Sequence, residues 1–117
     1  MICEDDKALV NVLADMTKKN GFEVVTVEDG SLAVDKFLEK KPDLLLLDII
    51  LPGKSGFDIL EEIRVKHNSK TPVIIISNLD QDNDKALAKN LGISDYIVKS
   101  DISLRTLMSK INQALSK

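Results

Sequence analysis

The sequence predicts an α/β fold in which a doubly wound, five-stranded parallel sheet carries helices on both faces. Short apolar runs alternate five times with stretches of helical periodicity along the 117 residues. Two of these runs, at residues 44–47 and 73–76, are apolar at every position. Such runs are typical of strands that are buried on both faces of a parallel sheet. The segments between them are then the crossover helices that parallel strands require.

The strands are predicted at residues 1–3, 22–27, 44–47, 73–76 and 96–98. Each is followed by a helix in which apolar side chains recur at a spacing of three or four. Glycine or proline marks several helix ends, at Gly21, Pro42 and Gly92. The residues expected to face the core are Leu9, Val12, Leu13 and Met16 in the first helix, Ala33, Val34, Phe37 and Leu38 in the second, Phe57, Leu60 and Ile63 in the third, Ala86, Leu87 and Leu91 in the fourth, and Leu104, Leu107, Met108, Ile111 and Leu115 in the fifth.

Length and composition limit the classes of function. Residues 1–117 are predicted to form one domain, since the length suits a single core. A net charge of -3 argues against a nucleic-acid surface, and no apolar run approaches the ~18 residues that span a bilayer. The single cysteine, Cys3, cannot form an internal disulfide and is expected in the core, which fits a reducing, cytoplasmic setting.

Polar residues follow four of the predicted strands. Glu4 and Asp5 follow the first, Asp48 the third, Ser77 the fourth and Lys99 the fifth. Because the carboxyl ends of parallel strands meet at one edge, where open α/β sheets bind ligands, we expect these groups to converge. Taken singly, Asp48 could be a turn or capping residue, Ser77 a strand-end hydroxyl and Lys99 a solvated lysine.

Together these residues indicate phosphoryl-transfer chemistry. Three carboxylates in one crevice repel each other, and a hard divalent cation such as Mg²⁺ would relieve that repulsion. A lysine and a hydroxyl beside them suit the charge stabilisation on which phosphoryl transfer depends. An aspartate can itself be the nucleophile and form an acyl phosphate.

Over nearly its whole length the sequence resembles the receiver domains of two-component response regulators. The acidic pair Glu4-Asp5, Asp48 with its following residues 51–53 and Gly56, Ser77, and Lys99 carry the resemblance. It implies a flavodoxin-like sheet of strand order 2-1-3-4-5. It also implies a phosphoacceptor, Asp48, that takes its phosphoryl group from a histidine kinase.

The resemblance assigns the other site residues as well. Asp5, Asp48 and the backbone carbonyl of Ile50 would bind Mg²⁺ directly, and Glu4 mostly through water. Ser77 and Lys99 would contact the phosphoryl group, and Ser77 and Tyr96 would form the switch. An edge tyrosine that is simply packed by its ring is an equally good interpretation of Tyr96.

As a receiver, the protein would not be an enzyme beyond its own phosphorylation and dephosphorylation. Its expected partners are a histidine kinase and a downstream effector protein or domain. A homodimer could form through the fourth helix, fifth strand and fifth helix. Neither nucleic acid nor a membrane is expected to bind it directly.

The sequence departs from the receiver pattern at four positions. Asn78 stands in place of a small residue. Ser100 stands in place of the proline that usually follows the lysine, a position where the family often has a cis bond. The direction of the Lys99 side chain and the isomer of the bond between Lys99 and Ser100 are therefore open. Ile50 and Leu79 are apolar where faster relatives have polar residues that help to place the hydrolytic water. A long-lived phosphorylated state is therefore expected.

Two other functions remain open from the sequence. A degenerate receiver would act only as a binding module, without phosphorylation. A phosphohydrolase with an aspartyl nucleophile would share the metal and the lysine, but such enzymes have a second acid two residues after the nucleophile, where this chain has Ile50. His67, the only histidine, is expected at the surface near a helix end rather than as a ligand or catalyst.

Overall fold

The computed structural model describes residues 1–116 and contains one sheet of five parallel strands in the order β2-β1-β3-β4-β5. The predicted fold class and strand order are confirmed. The strands are β1 (Ile2–Cys3), β2 (Thr26–Val27), β3 (Leu45–Leu47), β4 (Val73–Ser77) and β5 (Asp95–Val98). The helices are α1 (Lys7–Lys19), α2 (Ala33–Lys40), α3 (Gly56–Glu61), α4 (Asp82–Leu91) and α5 (Leu104–Leu115), and α3 continues into a π-helical turn at Glu62–Lys66.

Two apolar layers, one on each face of the sheet, form the core. Successive strand residues point to opposite faces, so Leu45 and Leu47 join one layer while Leu46 joins the other. Phe37 of α2 and Ile59 of α3 pack in the first layer. On the second face the layer is completed by residues of α1 and α5, namely Leu13, Leu107, Ile111 and Ala114.

The second strand is shorter than predicted. Only Thr26–Val27 pair with a neighbour, although residues 22–27 carry the β-branched pattern. In the observed strand order β1 is the one neighbour of β2, and β1 itself comprises only Ile2–Cys3. Residues 22–24 therefore have no partner strand with which to form a ladder.

Several predicted inward-facing helix residues are exposed: Val12, Leu38, Ala86, Leu87 and Leu104. Smaller or hydroxyl-bearing residues take the buried positions instead, Thr17 in α1, Ala88 in α4 and Ala114 in α5. The Thr17 hydroxyl donates to the Leu13 carbonyl at 2.8 Å, which satisfies it inside the core. Small residues let a helix approach the sheet closely. A search for periodic large apolar side chains does not detect them.

Side-chain caps fix the starts of α1, α3 and α5 at the carboxyl edge of the sheet. Asp6 Oδ1 accepts from the backbone N–H groups of Ala8 and Leu9 at the start of α1. Ser103 caps α5 and Ser55 caps α3. No helix within residues 1–116 combines the length and the apolar character that crossing a membrane requires.

Candidate functional site at the carboxyl edge of the sheet

The sheet register brings the predicted polar residues to one edge. Cys3 lies opposite Leu47, so the residues that follow them, Glu4 and Asp48, leave the sheet side by side. Ser77 ends β4 and pairs with Val98, directly before Lys99. The predicted convergence of four strand ends is therefore observed.

Glu4, Asp5 and Asp48 form a compact acidic cluster, in which each residue offers a carboxylate oxygen within 4.8 Å of the others. Glu4 is 3% exposed and Asp48 is 4% exposed, whereas Asp5 faces solvent. Glu4 Oε2 accepts from the backbone N–H of Asp5 at 2.9 Å, and Asp48 Oδ1 accepts from that of Ile50 at 3.3 Å. These bonds fix the orientation of the two buried carboxylates.

Lys99 balances the buried negative charge. Its Nζ lies 2.7 Å from Asp48 Oδ2 and 2.6 Å from Glu4 Oε1. Burial alone lowers the pKa of Lys99, but the hydrogen bonds to Asp48 and Glu4 raise it above its usual value. Lys99 therefore stays protonated and bridges the two carboxylates.

The Glu4 carboxyl has a pKa well above its usual range. Burial, opposed by the hydrogen bond from Lys99 and reinforced by the neighbouring charge of Asp48, raises the pKa of Glu4 to about 7. A second positive charge beside Glu4 would favour its ionised form.

The donor set of this cluster fits Mg²⁺. All its side-chain donors are carboxylate oxygens, the ligands that a hard divalent cation prefers. Because Asp5 lies at the solvent side of the cluster, a bound ion could keep several waters, as Mg²⁺ usually does. Glu4, Asp5 and Asp48 are the residues that would hold it, with the carbonyl of Ile50 close by in sequence.

Ser77 and Tyr96 meet at the loop that follows β4. Ser77 is fully buried, and its Oγ accepts from the backbone N–H of Leu79 at 3.2 Å. The Tyr96 hydroxyl donates to the Leu79 carbonyl at 2.6 Å, while its ring packs partly buried against the core. The ring of Tyr96 is therefore packed, and its hydroxyl contacts the loop that follows β4. A switch role for Ser77 and Tyr96 stays a prediction.

The four departures from the receiver pattern lie around the site. Ile50 is 61% exposed, and Leu79 packs partly buried against the core. No peptide bond within residues 1–116 is cis, so Lys99 and Ser100 are joined by a trans bond, and Lys99 still reaches Asp48. The Ser100 N–H donates to Asn78 Oδ1 at 3.1 Å, a contact between two departures that the sequence showed only separately.

Sequence reasoning missed the support of the β3–α3 loop, which follows Asp48. The backbone N–H of Gly30 donates to the Pro52 carbonyl at 2.8 Å. A Cβ at Gly30 would overlap the Lys54 carbonyl, and one at Gly53, whose φ is +83°, would overlap the carboxylate of Asp29. The turn after β2 thus packs directly on this loop, and the glycine positions were the only signal of it in the sequence.

Other features lie apart from this site. A groove of about 830 Å³ lies at the opposite, amino edge of the sheet, among residues such as Phe22, Val24 and Leu44. His67 is partly buried near the end of the π-helical turn, with Nε2 4.0 Å from Glu62 Oε2. Neither contacts the acidic cluster.

Comparison with known proteins identifies the class that this fold and site define. The family model for the response regulator receiver domain matches residues 1–112. The chain therefore belongs to the receiver-domain family of response regulators. Members are signalling modules that bind Mg²⁺ through acidic residues and interact with histidine kinases and effector domains.

Solved structures of receiver domains superpose on nearly the whole chain. The BeF₃-activated N-terminal receiver domain of RstA from Klebsiella pneumoniae is 31% identical, with a TM-score of 0.90, and the match covers 99% of this chain and 97% of that one. A LuxR-family DNA-binding response regulator from Staphylococcus aureus is 29% identical, with a TM-score of 0.88 and coverage of 97% and 95%. A CheY-like receiver domain protein from Methanospirillum hungatei is 25% identical, with a TM-score of 0.91 and coverage of 98% and 90%.

Proposed function

We propose that the chain accepts a phosphoryl group on Asp48 from a histidine kinase in a Mg²⁺-dependent reaction, and that this modification switches the binding of a partner. The observation that carries the proposal is the position of Lys99, whose Nζ bridges Asp48 and Glu4 within the acidic cluster. A carboxylate oxygen of Asp48 would form the bond to phosphorus while the bond from phosphorus to the histidine nitrogen breaks. Asp48 becomes an acyl phosphate, and the imidazole leaves.

The neighbouring residues would stabilise the charge of the transferred group. Mg²⁺, held by Glu4, Asp5, Asp48 and the Ile50 carbonyl, would offset the negative charge of the phosphoryl oxygens. Lys99 would exchange its contact with Asp48 Oδ2 for one with a phosphoryl oxygen. The Ser77 hydroxyl, whose oxygen already accepts from the Leu79 N–H, would donate a hydrogen bond to another phosphoryl oxygen.

The switch would couple this chemistry to a partner surface. If Ser77 moves toward the phosphoryl group, its bond to the Leu79 N–H must change, and the Tyr96 hydroxyl is bound to the same residue. The proposed surface comprises α4, β5 and α5, and an effector or a second copy of the chain would bind there. A cytoplasmic location belongs to the same proposal, since the buried thiol of Cys3 fits a reducing compartment.

A phosphodonor experiment separates this function from the other two. The chain is incubated with acetyl phosphate and Mg²⁺, with a matched sample in EDTA, and intact mass and free phosphate are followed over time. The proposal predicts a phospho-adduct that forms with Mg²⁺ and fails to form in EDTA. Continuous phosphate release without an adduct would instead indicate a phosphohydrolase, and neither adduct nor release a degenerate receiver.

A further inference from the structure

One hydrogen bond joins the two loops that carry Ser77 and Lys99. The Ser100 backbone N–H donates to Asn78 Oδ1 at 3.1 Å, across 22 positions of sequence. Asn78 directly follows Ser77, and Ser100 directly follows Lys99. The bond therefore connects the residues next to the two proposed phosphoryl contacts.

Both partners of this bond are departures from the receiver pattern, and the bond requires both. Proline has no backbone N–H, so the residue that usually stands at position 100 could not donate. A small residue at position 78 would offer no side-chain acceptor of this kind. With Ser100 alone, the backbone N–H would lack this acceptor. With Asn78 alone, the amide oxygen would lack this donor.

The backbone around Lys99 determines where its ammonium group can reach. Lysine has a flexible four-carbon stem, so the stem alone does not fix the position of the charge. Lys99–Asp101 form a short 3₁₀ turn, closed by a bond of 3.2 Å from the Ile102 N–H to the Lys99 carbonyl. The bond to Asn78 adds a second anchor, at the peptide bond that follows Lys99.

We propose that Asn78 is a positioning residue that holds Lys99 for the phosphoryl group through the Ser100 N–H. The inference rests on the proposed function, in which Lys99 leaves Asp48 Oδ2 for a phosphoryl oxygen. An anchored backbone keeps Lys99 within reach during that exchange, and it makes the loops of Ser77 and Lys99 move together. Asn78 acts on the phosphoryl group through Lys99 rather than by touching it.

A double-mutant cycle with a phosphoryl mimic tests this role. The dissociation constant of beryllium trifluoride in saturating Mg²⁺ is measured by NMR titration for the parent, Asn78→Ala, Ser100→Pro and the double variant. Loss of one neutral hydrogen bond should weaken binding about three- to tenfold in each single variant, with no further loss in the double variant. Ser100→Ala is the matched control, because it keeps the backbone N–H and should bind as the parent does.

The outcomes distinguish a positioning role from a purely structural one. A bond that only stabilised the fold would lower the melting temperature of Asn78→Ala and leave the dissociation constant of the folded protein unchanged, and that result would overturn the inference. Single effects that multiply in the double variant would also overturn it. Because Asn78 is exposed, Asn78→Ala should fold. Comparing the dissociation constants of Asn78→Ala and Ser100→Ala therefore decides the question even if Ser100→Pro does not fold. A parent that fails to bind the mimic would overturn the proposed function itself.

Discussion

Glu4, which is hydrogen-bonded to Lys99, changes its charge with pH near neutrality. The buried Glu4 carboxyl has a pKa of about 7 in the folded protein, well above its ordinary value of 4.5. The folded chain therefore holds a proton on Glu4 between these two values, where the unfolded chain has lost it. Linkage requires that this contribution to stability is complete below pH 4.5 and is lost as pH rises through 7.

Replacing Glu4 by glutamine should remove that dependence. In metal-free buffer, the free energy of unfolding of the parent should fall relative to that of Glu4→Gln as pH rises from about 4.5 to 7. Urea denaturation at a series of pH values, with EDTA present, measures the difference between the two proteins. Parallel pH profiles would show that Glu4 titrates at its ordinary value.

Two apolar side chains are expected to prolong the life of the phosphorylated state. Hydrolysis needs a water in line with the bond from Asp48 to phosphorus, and neither Ile50 nor Leu79 offers it a hydrogen bond. Loss of a proton-handling group in such a site slows the reaction ~10²–10⁴-fold, and loss of a group that only positions the water slows it less. The double variant Ile50→Asn with Leu79→Glu should therefore lose its phosphoryl group clearly faster than the parent.

Intact mass after removal of the phosphodonor gives the decay rates of both proteins. Val65→Asn is the control, since Val65 is 71% exposed on the π-helical turn and does not belong to the site. Unchanged or slower decay in the double variant would mean that these two positions do not set the lifetime.

Among the elements, the turn after β2 supports the loop that carries Ile50. Because a Cβ at Gly30 would overlap the Lys54 carbonyl, Gly30→Ala must shift one segment or the other. We expect it to lower the free energy of unfolding by about 1–3 kcal/mol, the usual cost of overpacking, and to weaken Mg²⁺ binding. Urea denaturation and calorimetric titration with Mg²⁺ measure the two effects.

The matched control for this loop is Gly21→Ala. Gly21 has a φ of +89° and no atom near its missing Cβ, so alanine there strains only the backbone. It should lower stability without changing Mg²⁺ affinity. Equal Mg²⁺ affinity in Gly30→Ala and the parent would show that the turn does not position the metal ligands.

Local patterns predict some elements well and others poorly. The start and end of α1, at Lys7 and Lys19, were predictable because the apolar period, two last-turn lysines and a glycine are all local signals. The length of β2 was not, because a ladder depends on how many residues its neighbour supplies. The four strand ends of the site were predictable from parallel topology alone. The bonds from Gly30 to Pro52 and from Ser100 to Asn78 join distant loops, and no local pattern encodes them.

For the molecule as a whole, relief of repulsion in the acidic cluster should appear as added stability. A ligand that binds only the folded state stabilises it by about 2.7 kcal/mol at 100 times its Kd, which corresponds to roughly 10 °C in a domain of this size. The melting temperature of the parent should therefore rise with Mg²⁺. Asp5→Ala should lose most of that rise, while Asp15→Ala, on the exposed side of α1, should keep it. A melting temperature of the parent that does not change with Mg²⁺ would count against the metal site.

The central claim is that Asp48 is the phosphoacceptor, and the stoichiometry of its modification tests this most directly. Intact mass after treatment with acetyl phosphate and Mg²⁺ is compared for the parent, Asp48→Asn and Asp58→Asn. Asp58 is an exposed acid of α3, ten residues further along the chain, and serves as the matched control. We predict one phosphoryl group on the parent and on Asp58→Asn and none on Asp48→Asn, with all three proteins folded. Equal modification of Asp48→Asn and the parent would contradict the account.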